Sequence, residues 1–242
     1  MSVLERGDAR IHYEAEGDGF PVFTIAPGGL RSANSLWNKM PWNPRTALAD
    51  MYQVIGMDQR NAGASSAPIT AGDGWQTYLT DQLAVLDELG IEQCHLIGMC
   101  IGGPFVAGLL MAAPDRFVSA VMLQPVGIDG NRTTFYELSD WWRDEVRDAH
   151  PEAGDADFES FRSNMWDGEF LLTATREQIA ACPRPLLVMM GNDQYHPQST
   201  SREIAALAPN VEFVERWKED EVLPQTDATI KSFLAAHTPP TV

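Results

Sequence analysis

The residue best suited to covalent chemistry in this 242-residue chain is Cys100, which stands in the hexapeptide GMCIGG at positions 98–103. The apolar run before it predicts a strand and the apolar run after it predicts a helix, so Cys100 falls on a sharp strand-to-helix turn. Small residues are needed two positions before and after the apex of such a turn, and both Gly98 and Gly102 meet that need. The turn therefore pushes the thiol outward, where it can act as a nucleophile.

The start of the following helix favours the charged form of this thiol. Free N–H groups and the positive end of the helix dipole lower the pKa of a cysteine at that position. The Ile101 N–H can donate to an oxyanion that forms beside Cys100, and Gly29, in the loop after an earlier strand, is the natural second donor. The alternative for Cys100 is a small buried hydrophobic residue, the interpretation that we keep for Cys94 and Cys182.

Alternating strand-like and helix-like segments surround the turn and predict an α/β fold with a mostly parallel sheet. Apolar or alternating runs predict an edge hairpin at 3–16 and strands at 20–26, 52–57, 94–99, 118–123, 185–190 and 211–214. Helices are predicted from the leucine spacing at 79–89 and at 101–113 and 227–236.

About 60 residues separate the strands predicted at 118–123 and 185–190, far more than a crossover requires. Aromatic residues mixed with charges in this segment predict amphipathic helices, which we interpret as a cap. The predicted organisation is a core of residues 1–130 and 183–242 with a helical cap at 131–182.

Side chains of two kinds are candidates for substrate contacts. Trp142 and Trp166 of the predicted cap could supply a pocket wall, although aromatic residues at helical spacing more often pack a cap onto its core. Arg31 and Arg60 each follow a glycine-bearing loop near a strand end, and each could hold a substrate carboxylate. Either arginine could equally pair with one of the 34 acidic residues.

The bulk composition excludes several classes of partner. A formal net charge of −17 disfavours nucleic acid and anionic membranes, and no apolar run approaches the length of about 20 residues that crosses a bilayer. The charged N-terminus is unlike a signal peptide, so we expect a cytoplasmic protein that acts on a small molecule. The sequence suggests no metal site and no bound cofactor. A homodimer is compatible with it, and the oligomeric state stays open.

Four motifs together resemble the α/β-hydrolase superfamily over nearly the whole chain: PGG at 27–29, DQRNAGAS at 58–65, GMCIGG at 98–103 and GND at 191–193. The resemblance implies an eight-stranded sheet flanked by helices and an oxyanion hole near Gly29 and Ile101. It also implies a catalytic acid after the strand at 185–190, a position that Asp193 matches. The cysteine in the turn is similar to that of dienelactone hydrolases and polyhydroxyalkanoate synthases.

The chain departs from the family pattern in one respect. The family places its general base after the last strand, and the corresponding segment here, RWKEDEVLPQ at 216–225, contains no histidine. His196 lies three residues after Asp193, in a loop expected to border the site. We therefore predict that His196 partly replaces the missing base or hydrogen-bonds near Cys100. The other histidines, His12, His95, His150 and His237, are assigned structural or exposed positions.

These residues lead to three functional hypotheses. The first is a hydrolase that cleaves a small apolar ester, thioester, lactone or activated amide through Cys100. The second is a ligand-binding or interaction protein that has lost its general base. The third is a lyase or isomerase on the same fold, since a fold alone does not determine the reaction.

Overall fold

The computed structural model describes residues 2–240, which form one eight-stranded sheet with helices on both faces. The strands are β1 (Ser2–Arg6), β2 (Ala9–Glu16), β3 (Pro21–Ile25), β4 (Gln53–Met57), β5 (Cys94–Met99), β6 (Phe117–Leu123), β7 (Leu186–Met189) and β8 (Val211–Val214). Their order in the sheet is β1-β2-β4-β3-β5-β6-β7-β8, in which β2 runs antiparallel to β1 and β4 and all other neighbours are parallel. The predicted mostly parallel sheet of eight strands is confirmed.

Eight α-helices connect or flank these strands. They are α1 (Pro44–Leu48), α2 (Trp75–Glu88), α3 (Gly102–Ala112), α4 (Arg132–Val146), α5 (Asp155–Trp166), α6 (Arg176–Ala181), α7 (Gln198–Leu207) and α8 (Leu223–His237). Helix α8 begins four residues earlier than predicted, because Pro224 fits the first turn of a helix and does not delay its start. Within residues 2–240, no helix has the length and apolar character that a membrane crossing requires.

The central strands are buried on both faces, which explains their unbroken apolar runs. In β6, Ala120 and Met122 pack into the hydrophobic cluster on one side of the sheet, whereas Val121 and Leu123 pack into the cluster on the other side. Successive side chains of a strand point to opposite faces, so each face needs its own apolar series. Strands of this kind place their carboxyl ends, and the loops that follow them, at one edge of the sheet.

Residues 131–182, which we call the insertion, lie between β6 and β7 and contain α4, α5 and α6. Phe135 of α4 stacks on Trp166 of α5 with ring centroids 4.6 Å apart. The indole of Trp75, on α2, packs edge-on against Trp166 and donates a hydrogen bond to the Met165 carbonyl oxygen at 2.6 Å. The insertion thus shares one hydrophobic core with the sheet and helices beneath it, and its separation as a cap stays a prediction.

Candidate active site

Cys100 occupies the apex of the turn between β5 and α3. Its φ of +60° lies in the left-handed region, which costs a non-glycine residue about 1–2 kcal/mol. Three backbone hydrogen bonds hold it there: the Cys100 N–H donates to Leu123 O, and Cys100 O accepts from the N–H groups of Gly103 and Val126, each at 3.0 Å. The side chain is partly exposed and faces a cavity.

The glycines around Cys100 are required by close backbone contacts. A Cβ atom at Gly98 would lie 2.3 Å from the carbonyl oxygen of Gly102, and one at Gly102 would lie 2.7 Å from that of Ile25. Both distances are shorter than van der Waals contact, and the opposing atoms belong to the backbone. The predicted need for small residues on both sides of Cys100 therefore has a direct structural basis.

We expect Gly98→Ala to destabilise the protein by about 1–3 kcal/mol, the usual cost of overpacking a rigid core. The added methyl group cannot be relieved by rotating a side chain, because backbone atoms block it. Urea denaturation would measure the loss. Gly72→Ala is the matched control, since its new Cβ would meet only the Thr70 hydroxyl, at 3.8 Å. Equal stability of the two variants would contradict the predicted contact.

Asp193 and His196 form a compact acid and base pair in the loop between β7 and α7. The imidazole Nδ1 lies 2.8 Å from Asp193 Oδ1 and 2.9 Å from Oδ2. Asp193 Oδ1 also accepts from the backbone N–H groups of Tyr195 at 2.9 Å and His196 at 3.0 Å. A carboxylate at Nδ1 favours the tautomer that carries its proton there and leaves Nε2 free for another partner.

His196 and Cys100 line the same cavity. Nε2 is buried and has no hydrogen bond of regular geometry within the described part of the chain. The ring nevertheless interacts with the thiol, and each group shifts the pKa of the other. Catalytic hydrogen bonds are often imperfect before substrate binds, so this geometry is compatible with proton transfer between the two groups.

The pKa shifts favour a thiolate and imidazolium pair. Burial opposes ionisation of Cys100, but the neighbouring imidazole of His196 and its positive charge, with backbone groups of Gly28 and Ile101, outweigh it and lower the pKa of the thiol. Burial likewise opposes protonation of His196, but Cys100 and Asp193 together raise the pKa of the imidazole. Both shifts favour the ionised forms, a thiolate beside an imidazolium.

The rate of Cys100 alkylation by iodoacetamide should therefore rise with pH around a midpoint below the usual thiol pKa of about 8.5. A lowered pKa keeps the thiolate populated at lower pH, and only the thiolate is alkylated. His196→Ala should move the midpoint upward, because burial then acts without its opposing charge. His150→Ala, with a histidine that pairs with Glu152 in the insertion, should leave the midpoint unchanged. A wild-type midpoint at or above 8.5 would refute the ion pair.

Two backbone groups help to lower the pKa of the Cys100 thiol. They belong to Ile101 and to Gly28, the residue that precedes the predicted donor Gly29. Gly28 and Gly29 are adjacent, have φ of +120° and +61°, and both line the cavity. The assignment of Gly29 as oxyanion donor stays a prediction.

A cavity of about 200 Å³ opens above Cys100. Its lining combines glycine backbone, apolar side chains and three polar groups besides the thiol: Gly28, Gly29, Leu30, Arg31, Cys100, Ile101, Val126, Phe135, Leu138, Trp166, Tyr195 and His196. Of the predicted contacts, Arg31 and Trp166 lie here. Asp193 is absent from the lining and reaches the cavity only through His196.

The structure does not bring Trp142 to this cavity. Its side chain is 1% exposed and stacks on Phe161, with ring centroids 5.1 Å apart. Trp142 therefore packs α4 against α5 inside the insertion and does not serve as a substrate contact in this structure. Phe135 and Leu138 of the same helix line the cavity instead, and their helical spacing ahead of Trp142 is the signal that could have identified them.

Both arginines named as candidate carboxylate ligands pair with acidic residues. Arg31 Nε donates to Glu145 Oε2 at 2.6 Å, which joins the loop after β3 to α4. The guanidinium of Arg60 donates to both oxygens of Asp81, at 2.9 and 3.1 Å, in a buried pair. Arg60 is thus structural, whereas Arg31 remains at the cavity.

The remaining histidines lie away from the cavity, each with a local partner. His12 Nδ1 lies 3.1 Å from Asp58 Oδ2, and His237 Nδ1 lies 2.8 Å from the Phe233 carbonyl oxygen. His95 contacts the hydroxyls of Ser119 and Thr238, and burial lowers its pKa to about 4.

The loop after β8 is filled by tryptophan where the family would place its histidine. Trp217 is buried, and its indole N–H donates to the Met190 carbonyl oxygen at 2.9 Å. The next residue, Lys218, donates from Nζ to Gln124 Oε1 at 2.7 Å. This segment therefore closes the end of the sheet, and the imidazole beside Cys100 comes from the β7–α7 loop.

Comparison with known proteins places this geometry in context. The family model described as alpha/beta hydrolase fold matches residues 21–169. The chain is similar to carboxylesterase YbfK of Bacillus subtilis, at 24% identity over 218 residues that cover 79% of this chain and 71% of that protein.

Another curated relative is the dihydrolipoyllysine-residue acetyltransferase component of the acetoin cleaving system of Cupriavidus necator. It is 34% identical over 119 residues, which are 49% of this chain and 30% of that protein. The chain thus spans less than half the length of several curated relatives that it matches. Among solved structures, the meta-cleavage product hydrolase CumD of Pseudomonas fluorescens superposes with a TM-score of 0.72 at 19% identity over 98% of each chain. At that identity the likeness concerns the fold alone.

Proposed function

Because the chain belongs to the alpha/beta hydrolase fold family, we propose that it is a hydrolase that cleaves a small apolar ester, thioester, lactone or activated amide through Cys100. The observation that carries this proposal is the arrangement of Cys100, His196 and Asp193 beside one cavity. It supplies a nucleophile, a base next to it and a carboxylate that orients the base, which are the three parts that covalent acyl transfer needs.

The first half of the reaction forms an acyl enzyme. The Cys100 thiolate attacks the substrate carbonyl carbon, and the carbonyl electrons move to oxygen. The Ile101 N–H, together with the Gly28 or Gly29 N–H, stabilises that oxyanion. When the carbonyl re-forms, the bond to the leaving group breaks, and the protonated His196 donates the proton that the departing alcohol, thiol or amine requires.

The second half releases the acid. His196, now neutral, accepts a proton from water as that water attacks the acyl carbon, and the oxyanion donors act again. Collapse expels the thiolate and restores the imidazolium. Asp193 stays ionised throughout and holds the ring by Nδ1, since its pKa is lowered by His196 despite partial burial.

The cavity supports a small apolar acyl group. Leu30, Val126, Phe135, Leu138 and Trp166 form most of its wall, and 200 Å³ is below the usual range for drug-sized ligands. The name of the carboxylesterase relative agrees with ester chemistry. Thioester and lactone substrates share the same electrophilic carbonyl, and the proposed mechanism applies to them unchanged.

A panel of p-nitrophenyl esters and matched thioesters, followed by intact-mass measurement, tests the proposal. We expect release of p-nitrophenol, a transient mass increase of one acyl group, and mapping of that group to Cys100. No turnover and no adduct with any member of the panel would reject the hydrolase.

A ligand-binding protein is the second candidate, and the histidine-free loop around Trp217 favours it. Such a protein would bind small neutral carbonyl compounds in the cavity without cleaving them. A lyase or isomerase would instead convert the compound without any acyl adduct on Cys100. Calorimetric binding combined with product analysis distinguishes these outcomes from hydrolysis.

A further inference from the structure

The ion pair between Arg31 and Glu145 stands at the rim of the cavity. Arg31 is the one lysine or arginine among the lining residues, and no acidic side chain lines the cavity within residues 2–240. Its guanidinium is held by the Glu145 carboxylate at 2.6 Å. Any charged substrate group that enters the cavity will therefore interact with the charges of Arg31 and Glu145.

The backbone of Arg31 is well fixed. It ends the short 3-10 turn Gly29–Arg31, in which its N–H donates to Gly28 O at 3.1 Å. The next residue, Ser32, is buried and donates from its hydroxyl to Ala26 O at 2.6 Å. The guanidinium is therefore anchored to the same loop that offers backbone donors to the reacting carbonyl.

Glu145 lies in the last turn of α4, within reach of the loop that bears Arg31. The residues Phe135, Leu138 and Trp142 follow a helical spacing and are turned to the cavity or the core, and Glu145 continues that series three residues later. The Glu145 side chain is 60% exposed, so its carboxylate gains little from packing. Here it neutralises the only arginine of the cavity.

We propose that Glu145 is a specificity-determining residue that makes the cavity select uncharged acyl groups. This inference rests on the proposed function and narrows its substrate class. With Arg31 already paired, a substrate carboxylate must displace Glu145 and then lie beside an acidic helix, on a protein of net charge −17. An uncharged acyl group contacts only the apolar wall and leaves the pair intact.

The exposure of Arg31 and Glu145 should allow a mutation to reverse the preference for uncharged acyl groups without unfolding the protein. The side chains of Arg31 and Glu145 are 37% and 60% exposed, and ion pairs of that kind contribute little to stability. Glu145→Gln should therefore fold normally and leave Arg31 free to bind a substrate carboxylate. The size of the effect should be about two- to fivefold, the range expected for one exposed ion pair.

The experiment compares p-nitrophenyl butyrate with mono-p-nitrophenyl succinate, which replaces the terminal methyl group by a carboxylate. Glu145→Gln should raise kcat/KM for the succinate about two- to fivefold and leave the butyrate unchanged. Glu137→Gln is the matched control, because Glu137 lies on the same helix and forms no ion pair among the described residues. Adding Arg31→Gln to Glu145→Gln should remove the gain.

A second readout does not need hydrolysis. Iodoacetamide and iodoacetate have nearly the same shape and differ in charge, and both alkylate a reactive thiolate. Glu145→Gln should increase the iodoacetate rate relative to the iodoacetamide rate, whereas Glu137→Gln should not. If neither ester is cleaved but this ratio changes as expected, the hydrolase proposal fails and the charge selection stands. The proposed selection is overturned if Glu145→Gln changes neither the succinate-to-butyrate ratio of kcat/KM nor the iodoacetate-to-iodoacetamide ratio of rates. It is also overturned if neither reagent alkylates the protein.

Discussion

Cys100→Ala is expected to abolish ester turnover, with a fall in kcat of at least about 1,000-fold. Alanine keeps the turn and the backbone donors but removes the atom that forms the acyl enzyme. The measurement is p-nitrophenol release at saturating ester, together with intact mass after rapid quenching. No acyl adduct should form on the variant.

Cys182→Ala is the matched control for the loss of a thiol. Cys182 is buried beyond the end of α6, away from the cavity, and burial raises the pKa of its thiol, so it should be unreactive. We expect this variant to retain wild-type turnover. Residual activity of Cys100→Ala close to that of Cys182→Ala would mean that another group performs the chemistry.

His196→Ala is expected to lower kcat by about 10²- to 10⁴-fold, the usual contribution of general acid and base catalysis. Both halves of the reaction suffer, since the thiolate loses its positive neighbour and water loses its base. Rapid-quench mass spectrometry should show an acyl enzyme that forms slowly and then persists. Deacylation at the wild-type rate would exclude His196 as the base.

A histidine substitution away from the cavity controls for general damage. His237→Ala removes an imidazole that contacts the Phe233 carbonyl oxygen near the C-terminal end of α8. It should leave both acylation and deacylation unchanged. Asp193→Asn, which keeps the shape of the acid but weakens its hold on Nδ1, should give a smaller loss than His196→Ala.

The fold and the position of Cys100 on its turn could be predicted because their signals are local. The spacing of Gly98, Cys100 and Gly102 reports a steric requirement that operates over five residues, and the apolar runs report strands that are buried on both faces. The pairing of Asp193 with His196 could be anticipated for the same reason, since the two residues lie only three positions apart.

Other features of the site depend on how distant elements meet. Trp142 lies on α4 and Trp166 lies on α5, two neighbouring helices of similar amino-acid composition. Which of the two tryptophans faces the cavity is decided by how these helices pack on each other. The pairing of Arg31 with Glu145 joins residues 114 positions apart. No periodicity in either segment encodes that contact.

The loop between β7 and α7 carries both the proposed catalytic acid, Asp193, and the proposed base, His196, within four residues. Asp193 and His196 exchange backbone hydrogen bonds of 3.3 and 3.2 Å in addition to their side-chain contact. A carboxylate and an imidazole on separate loops change their distance when either loop moves, whereas these two groups lie on one loop and are hydrogen-bonded to each other. In the proposed catalytic centre, the acid and the base therefore keep their mutual geometry, and the distance that must be set by tertiary packing is the one between this loop and the sulfur of Cys100.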